Sequence, residues 1–99
     1  MEIKKVETDK KRYLDLLLLA DEQEDMVDRY LERGTMYVLE DGGVRAECVV
    51  TDEGDSVLEL KNIAVAPAFQ GRGYGKALVD FLVRTYKTQY AVLQVGTGE

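Results

Sequence analysis

The chain has no histidine among its 99 residues. That absence excludes an imidazole general base and an imidazole metal ligand from this sequence. Cysteine is nearly absent too: Cys48 stands alone, so no internal disulfide can form, and a lone thiol fits a reducing, cytoplasmic setting. It reads as a small buried apolar residue rather than a nucleophile. There is one proline, and no repeat, linker or low-complexity tract breaks the chain, so residues 1–99 are expected to form one domain. That length buries roughly two-thirds of the surface the unfolded chain exposes. The longest apolar run, Leu16 to Ala20, is far too short to span a bilayer. The N-terminus shows no apolar segment followed by a cleavage site, and no membrane partner is expected. Basic residues are outnumbered, 13 against 19 acidic, for a net charge of −6. Nucleic-acid binding is therefore not expected, because attraction to a phosphate backbone needs clustered Lys and Arg.

What is present is a regular alternation of elements. Met1 to Glu7 reads as a short strand and Asp9 to Ala20 as a helix, with Tyr13, Leu14, Leu17 and Leu18 on one face. A second helix is expected from about Glu22 to Arg33, with an apolar ridge of Met26, Val27, Tyr30 and Leu31 and a stop at Gly34. Its other face carries Glu22, Glu24, Asp25, Asp28, Arg29 and Glu32, a solvated surface. Thr35 to Glu40 is a strand, and Asp41-Gly42-Gly43 a hairpin turn. Val44, Ala46, Cys48 and Val50 then alternate with Arg45 and Glu47, the pattern of a half-buried antiparallel strand. A turn over Thr51 to Asp55 leads to a third strand, about Ser56 to Ala66, ended by Pro67.

That third strand changes phase. Leu58 and Leu60 share one face, whereas Ile63 and Val65 have the opposite parity. Either a bulge near Lys61-Asn62 absorbs one residue, or the strand is buried on both faces. A bulge would leave backbone groups free for an extended ligand. Downstream, Tyr74, Ala77, Leu78, Phe81, Leu82 and Thr85 recur at helical spacing up to about Lys87, and Tyr90 to Val95 forms a last strand before Gly96-Thr97-Gly98-Glu99. Strand, helix, strand predicts a parallel pair.

Between the third strand and that helix stands Gln70-Gly71-Arg72-Gly73-Tyr74-Gly75-Lys76. A glycine-rich turn feeding a helix start gathers unpaired N–H groups and the positive end of the helix dipole at one point, a phosphate cradle. A Walker loop is excluded, since Gly75-Lys76 lacks an upstream glycine at the required distance and precedes Ala77. A dinucleotide fingerprint is excluded because position 76 is lysine.

The stretch Glu59 to Leu78 resembles the acetyl-CoA motif of the GNAT superfamily of N-acetyltransferases, with Gln70, Gly73 and Gly75 in its Gln-x-x-Gly-x-Gly pattern, and the element order matches over essentially the whole chain. The resemblance implies an α+β fold, a mixed sheet in the order β-α-α-β-β-β-α-β, and an enzyme that moves acetyl from acetyl-CoA to a primary amine of unknown identity by direct attack, without a metal. It further implies a cofactor site at Ile63, Ala64, Val65, Gln70, Gly71, Arg72, Gly73, Tyr74, Gly75 and Lys76. The pantetheine arm would lie along Ile63 and Val65, the pyrophosphate on the loop amides, and the thioester carbonyl on the Val65 N–H. Glu59 is the candidate base by the same resemblance, and Tyr37, Tyr74, Tyr86 and Tyr90 offer hydroxyls for the acid, although Tyr74 and Tyr86 suit packing. The acidic face of the second helix would border the acceptor entrance.

Against the family pattern, a further helix and two strands are missing after the fifth strand. The chain is thus expected to be a truncated acetyltransferase, with the edge of Tyr90 to Val95 free to pair in a homodimer. A non-catalytic acetyl-CoA-binding module and a protein-interaction domain using that edge are the alternatives.

Overall fold

The computed structural model describes residues 1–95; Gly96 to Glu99 lie outside them. Five strands form one sheet in the order β1-β2-β3-β4-β5. They are β1 Glu2–Val6, β2 Thr35–Glu40, β3 Val44–Asp52, β4 Val57–Val65 and β5 Val92–Val95. Neighbours are antiparallel except β4 and β5, which run parallel from Val57 opposite Val92 to Leu60 opposite Val95. The mixed α+β architecture and the element order are those expected from the sequence.

Helices cover both faces. One face of the sheet, with Leu39, Ala46, Cys48, Val50, Leu58 and Leu60, packs on Leu78 and Leu82 of α3 (Tyr74–Tyr86). The opposite face, with Val6, Met36, Val38 and Val49, packs on Leu17 of α1 (Leu14–Ala20), Val27 of α2 (Glu24–Asp28) and Leu31. The central strands are therefore buried on both sides, and β3 is not half-buried: every residue from Ala46 to Thr51 is inaccessible. Among the described residues no helix is long and apolar enough to cross a membrane.

The phase change in β4 is a bulge. Val49 faces Asn62 and Val50 faces Leu60, so Lys61 is the extra residue. With it absorbed, Ile63 and Val65 join Leu58 and Leu60 against the α3 cluster.

The first two helices are shorter than their periodicity suggests. Lys10–Tyr13 is a 3-10 turn before α1. After Asp28 the bonds of α2 tighten, with Arg29 N–H to Met26 C=O and Tyr30 N–H to Val27 C=O both at 3.2 Å. Gly34 ends this segment as expected, donating to the Tyr30 carbonyl at 2.9 Å. It also has no room for a side chain, since a Cβ would stand 2.8 Å from Val49 Cγ1 and 2.9 Å from the Tyr30 oxygen. β5 starts two residues late because Tyr90 N–H still bonds the Tyr86 carbonyl at the end of α3, at 3.1 Å.

One lysine ties these turns together. Lys10 is only 9% exposed, and its ammonium donates to the carbonyls of Leu31 at 2.9 Å and Gly34 at 2.7 Å. Those carbonyls lie where the α2 segment stops bonding internally, so the cation caps a helix end. Lys10→Met keeps the apolar stem but strands both acceptors, and is expected to cost roughly 1–3 kcal/mol. A urea midpoint equal to that of the parent chain would contradict this role.

Candidate functional site

The end of β4, a 3-10 turn at Pro67–Phe69 and the Gln70–Gly73 loop lead directly into α3. Gly71 at φ 80° and Gly73 at φ 84° sit in the left-handed region, where a side chain is strained. A Cβ at either would meet nothing within 4 Å, so the demand for glycine here is conformational. Gly75 differs: it is an ordinary helical residue, and its Cβ would lie 3.7 Å from Val65 Cγ2. Its contribution is a bare surface between helix and strand.

The first helical bond at this end runs from Ala77 N–H to the Gly73 carbonyl at 2.9 Å, and no side chain caps Gly73. Among the described residues the amides of Gly73 to Lys76 thus have no protein partner. They converge with the positive end of the α3 dipole, which favours an anion.

Among the described residues the strand beside this loop has an open edge, because β4 pairs there with β5 only from Val57 to Leu60. Ala66 N–H donates to the Arg45 carbonyl of β3 at 2.8 Å, so by strand alternation the backbone groups of Ile63 and Val65 face away from β3, toward that edge. Gln70 Nε2 donates to the Val65 carbonyl at 3.2 Å, fixing the loop against the strand. Loop and strand enclose an open cleft of about 310 Å³ lined by Ile63, Ala64, Val65, Gln70, Gly71, Gly73, Tyr74, Gly75 and also Leu19. The structure thus brings together most of the residues singled out in the sequence. Leu19 was hidden in a run of leucines with nothing to distinguish it; it stands half-exposed over the cleft.

The basic side chains of the loop are directed elsewhere. Lys76 pairs with Asp80 at 2.7 Å, and the Arg72 guanidinium lies 5.2 Å from the Phe69 ring centroid, with Arg45 at 3.9 Å from the same ring. Tyr74 donates to Asp41 at 2.5 Å. This bond holds the Asp41 carboxyl below the usual carboxylate range, helped by Arg45 and Arg72, and raises the Tyr74 hydroxyl. The other tyrosine candidates are also engaged: Tyr37 and Tyr86 share a hydroxyl bond of 2.5 Å, and Tyr90 donates to Asp52 at 3.0 Å. Burial, then the bond to Tyr86, pushes the Tyr37 hydroxyl far up. Glu59 lies on β4 with Lys61 Nζ at 2.6 Å and Gln94 Nε2 donating at 2.6 Å.

Sequence reasoning missed one carboxylate. Glu47 is 0% exposed, and among the described residues neither of its oxygens has a hydrogen-bond partner. The signal was available: Cys48-Val49-Val50 is three apolar residues in a row, the mark of a strand covered on both faces, which places Glu47 inside. Nearby Asn62, 2% exposed, donates from Nδ2 to the Leu17 carbonyl and to the Tyr30 hydroxyl, both at 3.0 Å, while its Oδ1 has no partner.

Burial pushes the Glu47 carboxyl up to about 8 from its ordinary 4.5. Because the folded value is the higher one, the protonated form favours the native state. That stability is complete below about pH 4.5 and is lost as pH rises toward 8. The expected slope from this group is roughly 1.4 kcal/mol per pH unit in that window. Glu47→Gln, which cannot ionise, should flatten it; identical stability-against-pH curves from urea melts would show that Glu47 does not titrate there.

Comparison with known proteins agrees with this geometry. Residues 32–97 match the Acetyltransferase (GNAT) domain. An uncharacterized N-acetyltransferase of Bacillus subtilis, YvbK, is 41% identical over 86 residues, which are 85% of this chain and 56% of that protein. A GNAT family acetyltransferase from Elizabethkingia anophelis, solved with acetyl-CoA bound, superimposes with a TM-score of 0.81 at 31% identity, covering 88% of this chain and 57% of that one. A Bacillus subtilis acetyltransferase in complex with CoA gives a TM-score of 0.80 at 37% identity, over 87% and 57% of the two chains. The chain therefore spans a little over half the length of these relatives. A matched domain that takes in β2 to β5 and the glycine loop, carried on the same fold, makes this chain a member of the GNAT acetyltransferase family.

Proposed function

We propose that this chain binds acetyl-CoA in the cleft between β4 and the start of α3, and that it forms the cofactor-binding part of an enzyme acetylating a primary amine. The observation that carries the reading is that, among the described residues, the amides from Gly73 to Lys76 have no partner and lie beside an open backbone edge at Ile63 and Val65. The residues present fit the cosubstrate. A pyrophosphate needs several convergent N–H donors and close access to the backbone, and Gly71, Gly73 and Gly75 supply that access. A pantetheine arm carries amides that pair as an added strand would, with the edge groups of Ile63 and Val65.

Bound acetyl-CoA supplies the activated acyl carbon. The protein's part is to orient it and to stabilise charge. The Val65 N–H, on the open edge, is the donor proposed for the oxygen of the acyl group. Gln70 holds the Val65 carbonyl and so keeps that peptide plane in place. Arg72 and Lys76 act as nearby positive charge rather than as direct ligands, given their contacts with Phe69 and Asp80. The neighbours solved with acetyl-CoA or CoA support the choice of ligand. The lone, buried Cys48 supports a cytoplasmic setting.

Calorimetry with acetyl-CoA is expected to show micromolar binding. Gly73→Val, which forces a β-branched residue to φ 84°, should weaken it at least tenfold. Unchanged affinity in that variant would remove the loop from the site. Release of free thiol with an amine present separates an enzyme from a binding module that never turns over.

We also propose self-association through β5. Among the described residues β5 pairs only with β4, and Val92 and Val95 are 47% and 70% exposed, so an unpaired edge with apolar side chains is available. Val95→Lys is expected to shift sedimentation toward monomer; a parent chain that is monomeric at every concentration would refute the dimer.

A further inference from the structure

We propose that Glu47 takes the proton from the attacking amine, with Asn62 Oδ1 accepting a second hydrogen of the same nitrogen. This rests on the acetyl-transfer reading above.

The argument starts from an imbalance of donors and acceptors. Glu47 Oε1, Glu47 Oε2 and Asn62 Oδ1 are buried without partners. A buried acceptor left unpaired costs stability, and native structures keep few of them. All three lie on the face of the sheet that carries α1 and α2. Glu47 is opposite Ala64 and Val49 opposite Asn62, which makes Glu47 and Asn62 diagonal neighbours, within reach of each other's side chains. Both Asn62 amide hydrogens are spent on Leu17 and Tyr30, so with Glu47 ionised the cluster offers acceptors only. A primary ammonium, with three N–H donors on one atom, is the complementary guest.

The cluster lies behind the cleft, whose lining includes Ala64 but neither Glu47 nor Asn62. The residue between Glu47 and the open edge of β4 is Ala64, whose side chain is a single methyl and which itself lines the cleft. The next residue, Val65, carries the amide proposed for the acyl oxygen. The strand that carries Glu47 is thus one strand spacing, about 4.8 Å, behind the strand along whose far edge the thioester would lie.

The groups around Glu47 leave it uncommitted. Val38 of β2 and Ala64 of β4 are its register partners. From the helical layer comes Tyr30, close enough to feel the Glu47 charge; its hydroxyl donates to Asp21 at 3.3 Å. Lys10, the buried cation of this layer, is held by carbonyls, and Cys48, next in the chain, points to the α3 side. Among the described residues no cation pairs with Glu47. Glu59, in contrast, already has Lys61 and Gln94 as donors. Burial raises the Glu47 carboxyl to about 8, close to working pH, where a base transfers protons efficiently.

The step balances as follows. The ammonium gives one proton to the Glu47 carboxylate, leaving a neutral amine and a carboxylic acid. The nitrogen lone pair bonds the thioester carbon while the carbon–sulfur bond breaks. The sulfur leaves with the bonding pair and takes a second proton from the nitrogen, giving the amide and the thiol; the Glu47 proton then passes to solvent.

The test uses the full chain loaded with acetyl-CoA and n-butylamine as the probe amine. Difference infrared spectra with labelled glutamate should show a protonated carboxyl band at neutral pH that is missing in Glu47→Gln and converts to carboxylate when butylammonium is added. Thiol release at pH 7.5 should fall about a hundredfold in Glu47→Gln, and the rise of kcat/KM near pH 8 should vanish. A band indifferent to the amine overturns the assignment whether or not turnover is seen. So does a pH step that survives in Glu47→Gln and disappears in Glu59→Gln. If neither the parent nor the variant binds acetyl-CoA by calorimetry, it is the cofactor reading that fails.

Discussion

The extra residue at Lys61 governs the site. Without it, Leu58 and Leu60 would face α3 while Ile63 and Val65 faced α1, because side chains alternate with period two. With it, all four join one core, and Asn62 and Ala64 are left on the opposite face. The shift also falls where, among the described residues, pairing with β5 ends. Val57 to Leu60 holds β5, whereas Ile63 and Val65 present their backbone groups to the cleft.

The end of the cleft proposed to take an anion offers dipoles more than charged side chains. The protein is acidic overall, with net charge −6, and Lys76 is engaged with Asp80. Asp41 lies near Arg45 and Arg72 and offsets them further. What remains aimed at the cleft is the row of amides at the start of α3. Such a site attracts anions at short range without making the whole surface a binder of polyanions.

Much of this was legible in the sequence, for reasons specific to each part. The hairpin at Gly42-Gly43 and the loop at Gly71 and Gly73 could be read because positive φ restricts residue choice. The α3 stripe could be read because one face is buried, and the bulge because the parity of four apolar residues in β4 does not match. The short α1 and α2 were overextended because periodicity reports which side is buried, not whether successive turns keep i to i−4 bonds. Lys10 gave no sign of its capping role, which depends on carbonyls more than twenty residues away. Leu19 and Asn62 drew no attention as single residues; their roles arise only when α1 packs across β4.

Glu47 is the most instructive case. In an alternating strand a glutamate between Ala46 and Cys48 reads as the solvent face, and only the unbroken Cys48-Val49-Val50 says otherwise. Once inside, its carboxyl has no neighbour that compensates for the loss of water. A glutamine, or an apolar residue of similar volume, would avoid the cost of a buried ionisable group. The same core is otherwise economical with polar atoms: among the described residues only Glu47 and Asn62 contribute buried side-chain atoms without partners, and they are diagonal neighbours on one face of the sheet. Two independent defects of packing would have no reason to share one place on the sheet. A pair of acceptors awaiting a common donor accounts for both the cost and the position.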